Sequence, residues 1–274
     1  MEIDAAKRAL SLHFVLKVLT VGTNVAIARV ASPEIFGQAN INLLLLYTLV
    51  LHFTRECFRR VAQTSPQSAL QLVRLTQMWQ GTVCTWGFAP VAWAFWPSAD
   101  LSPMSTAIIC LAASIEALAE PLYAHDLIKL EMKHRAIAEG FALILRSAVV
   151  LGTITRGVEA FALGQVAYAI AVVLLMRVQT GPLRWKGLGV ERATGRLVGT
   201  ELGLAVLKFV LSEGEKLVLL FFAAASAEQG VYALVASLGS IITRNLFQPI
   251  EVQLGRKPPT AFSPLSKRLP ELPK

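Results

Sequence analysis

Long apolar runs dominate this chain, and they set its fold before anything else does. They are too long for β-strands and do not alternate. A bilayer core takes about 20 residues of helix per crossing, and the runs have that length. Eight can be drawn: Leu10–Val30, Gly37–His52, Gln77–Trp96, Met104–Leu122, Ala136–Ile154, Val158–Met176, Leu197–Ala225 and Val231–Ile250. The seventh is long enough to tilt or protrude. Only 16% of the 274 residues are charged and 54% are hydrophobic, whereas a soluble domain carries about 25% charge. Such a chain cannot coat itself with charge. That excludes a soluble enzyme, a disordered chain, a collagen and a disulfide-rich secreted scaffold. The expected fold class is all-α: a polytopic membrane protein of about eight transmembrane helices.

The basic residues test this layout. Arg55, Arg59, Arg60 and Arg74 follow span two; Lys129, Lys133 and Arg135 follow span four; Arg177, Arg184, Lys186, Arg192 and Arg196 follow span six. Both tails are basic, and the remaining loops hold only Arg29 and Arg156. This alternation is a positive-inside signal and predicts that both termini are cytoplasmic. The net charge of +8 therefore reads as loops facing an anionic leaflet, with no nucleic-acid partner. The first run follows a short stretch of mixed charge, so it reads as an uncleaved span rather than a signal peptide.

Other chemistry is sparse. Cys57, Cys84 and Cys110 are scattered, form no CxxC and read as buried fillers, not a disulfide framework or zinc site. His13, His52, His125 and His134 show no metal spacing. No metal or other cofactor is expected, and no catalytic residue is assigned. A membrane glycosyltransferase would need a carboxylate pair such as Asp-x-Asp, and Asp4, Asp100 and Asp126 form none. Trp79, Trp86, Trp93 and Trp96 on span three read as an interfacial belt or lipid-facing packing.

The informative residues are the charges inside the spans. Lys17, Arg146, Lys208, Lys216 and Arg244 all fall within apolar runs. Each costs roughly 2.5–3.5 kcal/mol at the bilayer centre. Span seven concentrates them. Glu201, Lys208 and Glu215 are seven apart and share a stripe. Glu213 and Lys216 are three apart and can pair along the helix. Glu139 and Arg146 are seven apart on span five, and Glu116 and Glu120 lie on one face of span four before Pro121. Two readings stay open: the charges pair among themselves and orient the helices, or they line a polar cavity between spans one, five, seven and eight that meets an anionic head group. Carboxylates in such a cavity could also exchange protons or bind a cation.

The first two spans also resemble the last two. Ala31-Ser32-Pro33-Glu34-Ile35-Phe36-Gly37 parallels Ala225-Ser226-Ala227-Glu228-Gln229-Gly230, and Thr54-Arg55-Glu56-Cys57-Phe58 parallels Thr243-Arg244-Asn245-Leu246-Phe247. Repeats of this kind suggest a transporter built from repeated bundles.

Several motifs carry a family resemblance. They are Thr54-Arg55-Glu56-Cys57-Phe58-Arg59-Arg60, Ile115-Glu116-Ala117-Leu118-Ala119-Glu120-Pro121, Ile137-Ala138-Glu139 through Leu145-Arg146-Ser147, Leu211-Ser212-Glu213-Gly214-Glu215-Lys216, Gln229-Gly230-Val231-Tyr232, Leu238-Gly239-Ser240 and Phe247-Gln248-Pro249-Ile250-Glu251. In order and spacing the chain resembles the eukaryotic Rft family of dolichol-linked oligosaccharide translocation proteins. The resemblance implies a fold like the multidrug/oligosaccharidyl-lipid/polysaccharide exporters (MATE-like), with two lobes around a cavity. It also implies a place in the endoplasmic reticulum membrane, and a part in moving a mannose-bearing diphosphodolichol, directly or by assistance, for N-glycosylation. A non-transporting adaptor in the same pathway, or an exporter of a related lipid, is the alternative.

On that resemblance, residues 1–176 form a first lobe of six spans, 177–196 a basic linker, 197–251 the first two helices of a second lobe, and 252–274 a Pro/Lys-rich tail. The family continues with further spans after Phe-Gln-Pro-Ile-Glu, so the chain is expected to be a truncated form. Arg55, Arg146, Lys208, Lys216 and Arg244 are the expected contacts to the dolichol-diphosphate head group. Glu116, Glu120, Glu139, Glu213 and Glu215 would support those cations or couple to ions.

Overall fold

The computed structural model describes residues 22–23, 25–64, 89–96, 101–128, 132–181, 192–222 and 226–242. Among these residues every regular element is helical, in line with the expected all-α class. The chain divides into two compact units, residues 1–234 and residues 235–274. In the second unit the described part is residues 235–242, the final turns of α8.

Helix α1 has three consecutive pieces: Pro33–Gly37, a π-helical stretch Gln38–Leu43, and Leu44–Thr64. Its start is written in the sequence. The Ser32 hydroxyl accepts from the Ile35 N–H at 3.4 Å, and Pro33 fills a first-turn position that needs no N–H. The same Ser-Pro device starts α3 (Pro103–Ala117), where Ser102 caps Ser105 N–H at 3.1 Å. At its other end α1 outruns span two, whose apolar run stops at His52. No Gly or Pro occurs between His52 and Thr64, so nothing stops the helix there. Arg55, Arg59 and Arg60 therefore ride on the helix rather than in a loop.

Helix α2 (Ala89–Phe95) is short. Span four does not run unbroken to Leu122: α3 stops at Ala117 and α4 (Glu120–Ile128) begins at Glu120. Pro121 has no N–H for the Ala117 carbonyl. Leu118 and Ala119 instead donate three residues back, to Ile115 at 3.0 Å and Glu116 at 2.9 Å. The kink thus falls between Glu116 and Glu120.

Helices α5 (Met132–Gly152) and α6 (Val158–Thr180) form an antiparallel hairpin. Gly157, at φ +63°, makes the turn, where a side chain would be strained. Gly164 lets the pair close: a Cβ there would lie 2.5 Å from Val150 Cγ2 and 3.2 Å from the Arg146 carbonyl oxygen. Helix α7 (Arg192–Phe221) lies along α1. Its buried Phe209 ring sits 5.6 Å from Phe53, and His52 Nε2 donates to the Ala205 carbonyl at 2.9 Å. His52 is thus a helix-packing residue.

Helix α8 (Ser226–Ile242) starts with its first turn against α1. A Cβ on Gly230 would lie 2.0 Å from the Pro33 oxygen and 3.2 Å from the Gly37 nitrogen. Gly37 and Gly230 are equivalent in the repeat, so the two related helix starts cross glycine to glycine.

The most buried element is the middle of α1. Leu45, Leu46, Val50 and Leu51 are at most 1% exposed, packed with α3, α6 and α7. Large apolar side chains also point outward, among them Phe141 and Ile144 on α5 and Leu207 and Leu211 on α7. Water would disfavour such a surface; hydrocarbon would not. Among the described residues three stretches are long and apolar enough to cross a membrane: Pro33–Phe53, Pro103–Asp126 and Val158–Thr180.

Candidate functional site: charges inside the helical bundle

Two arginines one turn apart on α1 meet two glutamates one turn apart across the α3–α4 kink. Arg55 Nη1 donates to Glu116 Oε1 at 3.1 Å. Arg59 grips Glu120 with two hydrogen bonds, one from Nε to Oε2 at 2.9 Å and one from Nη2 to Oε1. Equal spacing on the two sides keeps the pairs in register. From α5, Arg135 Nε donates to Glu139 Oε1 at 2.5 Å. The Arg135 and Arg59 guanidinium carbons lie 3.9 and 4.4 Å from the Tyr123 ring centre, a double cation–π contact.

Arg55, Arg59 and Arg135 balance Glu116, Glu120 and Glu139 in charge. The cleft bordered by Arg59, Arg135 and the three glutamates has a volume of about 20 Å³. That is room for one water, not for a diphosphate. This cluster clamps helices and is already neutralised.

The neighbouring positions on α1 face α7. Glu56 pairs with Lys208, whose side chain is 55% exposed, and Arg60 Nε lies 3.2 Å from Glu201 Oε2. Exposed pairs such as these hold weakly. On α7, Lys216 Nζ donates to Glu213 Oε2 at 2.6 Å, the three-residue pairing expected from spacing. Glu215 accepts from the Tyr232 hydroxyl of α8. Arg146 on α5 is half-buried and makes no hydrogen bond or ion pair with any described residue. Lys17 and Arg244 lie outside the described residues. The structure therefore brings Arg55, Glu116, Glu120 and Glu139 into one cluster, places Lys208 and Lys216 against carboxylates, and leaves Arg146 apart.

Sequence reasoning missed a second polar cluster. Asp126, 1% exposed, accepts from His125 Nδ1 and His134 Nδ1 at 3.2 Å each and from Thr180 Oγ1 at 3.0 Å. These residues come from the ends of α4, α5 and α6. The separation of Thr180 from Asp126 carries no periodic signal, so only the fold reveals the cluster. Replacing Asp126 by alanine strands three donors and is expected to cost about 2–3 kcal/mol, against about 1 kcal/mol for Thr180→Val. Unfolding in detergent with increasing SDS checks both values.

The profile described as "Rft protein" matches residues 3–255. Man(5)GlcNAc(2)-PP-dolichol translocation protein RFT1 of Mus musculus is 30% identical over 287 residues, covering 90% of this chain and 52% of the relative. The protein of that name from Xenopus tropicalis is 29% identical over 290 residues, covering 90% and 53%. That from Yarrowia lipolytica is 25% identical over 332 residues, covering 95% and 49%. The chain spans about half the length of these curated relatives. No solved structure matches it.

Proposed function

Because this chain belongs to the Rft protein family, we propose that it moves, or helps to move, a dolichol-diphosphate-linked oligosaccharide across the endoplasmic reticulum membrane for N-glycosylation. On this reading it is a multi-pass protein of about eight spans, with both termini cytoplasmic and exporter-like lobes. It moves its lipid, or helps to, and does no covalent chemistry.

The observation that carries the head-group reading is Arg146. A guanidinium within a span, without an ion pair, costs roughly 2.5–3.5 kcal/mol. A diphosphate offsets that cost through short charge-assisted hydrogen bonds, and the planar guanidinium can give two at once. Lys216 and Lys208 would join by exchanging Glu213 and Glu56 for phosphate oxygens. Arg55 would have to release Glu116, and Arg244 extends the set from the repeat. Glu116 and Glu213 hold Arg55 and Lys216 in place between cargoes, while Glu120, Glu139 and Glu215 support the site through Arg59, Arg135 and Tyr232 or couple it to ions. The dolichol tail stays in lipid.

The test is lipid retention. The full chain in nanodiscs is incubated with dolichyl-diphosphate oligosaccharide or with dolichyl monophosphate and followed by native mass spectrometry. Preferential retention of the diphosphate is expected. Equal retention of both, or of neither, contradicts the reading.

A further inference from the structure

Glu116 Oε2 on α3, Gln165 Oε1 on α6 and Asn42 Oδ1 on α1 accept no hydrogen bond from any described residue. Their residues are 7%, 5% and 6% exposed. Buried acceptors in a bundle without protein donors call for another donor, and water is the smallest one.

The three are not scattered. Asn42 lies in the π-helical stretch, which contacts α6; its neighbour Ile41 belongs to the same buried cluster as Phe161, and Leu43 to the same cluster as Ala162. Gln165 is one turn further along α6. One turn beyond it, Tyr168 packs against the cluster of Ala119 and Tyr123 and stands within electrostatic reach of Glu116. The next turns, Val172 and Met176, line the cleft that Glu116 borders. Positions 165, 168, 172 and 176 share one helix face. Gln165 and Tyr168 thus stand on the α6 face that leads on, through Val172 and Met176, to the cleft.

Glu116 differs from its neighbour at the junction. Glu120 has both oxygens engaged by Arg59. Glu116 gives Oε1 to Arg55 and keeps Oε2 without a protein donor among the described residues.

We infer that this face of α6 walls a water-filled column, and that Glu116 is the group through which a proton enters it from the cleft. In the step, hydronium gives its proton to Glu116 Oε2, forming one O–H bond and leaving neutral water; the reverse step restores the carboxylate. The groups facing Glu116 are Arg55 from α1, Glu120 from α4, Arg135 and Glu139 from α5, and Tyr168 from α6. The column is independent of the cargo, so it stands or falls separately from the lipid reading.

Infrared difference spectra of the chain in nanodiscs test it. On acidification, a carboxylic-acid C=O band is expected to appear, to vanish in Glu116→Gln, and to shift within the mixing time in D2O. In Gln165→Leu, with helicity and melting unchanged, the shift is expected to be about tenfold slower because one relay contact is lost. If Glu116→Gln does not fold, dicyclohexylcarbodiimide labelling of the wild-type chain substitutes: label on Glu116 that rises with acidity is expected. A folded chain with no Glu116 band and no label, or a Gln165→Leu shift as fast as wild type, overturns the inference.

Discussion

Replacing Glu120 by alanine should cost about 3–5 kcal/mol of stability, the loss expected when one partner of a buried ion pair is removed. Glu120 is 5% exposed and takes two hydrogen bonds from Arg59. Alanine leaves the Arg59 guanidinium with its Tyr123 ring contact but without its carboxylate. It also unties α1 from α4 just past the kink, where no regular helix ladder connects α3 to α4. The double change Arg59→Met with Glu120→Leu removes both charges and should recover most of the loss. SDS-titrated unfolding of the reconstituted chain distinguishes the two. A double variant as unstable as the single one would show that shape, not charge, governs the site.

The second large effect lies at the glycine crossing. Gly230→Ala should destabilise the contact between α1 and α8 by about 3 kcal/mol, the upper part of the overpacking range. The added carbon would meet backbone, at 2.0 Å from the Pro33 oxygen, so no side chain can move aside. Gly199 and Gly203 on α7 supply the contrast. Nothing lies within 4 Å of a Cβ at either, and both sit in a helix interior. Alanine there should be neutral or stabilising by up to about 1 kcal/mol. The same unfolding measurement reads all three. Equal effects at Gly230 and Gly199 would mean the helix starts do not cross closely.

Much of this is legible in the residues, for identifiable reasons. Ser32-Pro33 and Ser102-Pro103 start their helices because a hydroxyl before a proline satisfies the first free N–H groups, a local signal that hydropathy, which begins these spans at Gly37 and Met104, does not use. The pairing of Glu213 with Lys216 follows from helical spacing alone. The repeat also points to Gly37 and Gly230 as equivalents, though not to their contact. What escapes are the properties that depend on neighbours. Arg55 and Arg59 look like loop cations because hydropathy falls after His52, but falling hydropathy does not end a helix that has no breaker. Their partners lie 61 residues away, a distance that spacing arguments within one helix cannot bridge. Asp126 is invisible as a centre for the same reason. Pro121 marks a kink or end in the sequence, whereas the break precedes it, because the hydrogen bond a proline cannot make belongs to the residue four positions earlier.

The division between paired and unpaired cations carries the proposed function. Arg59 is clamped to Glu120, whereas Arg146, which pairs with no described residue, is the cation that the proposal gives to the cargo. The direct test measures retention of dolichyl-diphosphate oligosaccharide by Arg146→Ala in nanodiscs, alongside its unfolding midpoint. Retention is predicted to fall by about tenfold or more, as expected for losing charge-assisted hydrogen bonds to a diphosphate, while the midpoint holds. Unchanged retention in a folded Arg146→Ala chain would contradict the assignment of Arg146 to the cargo.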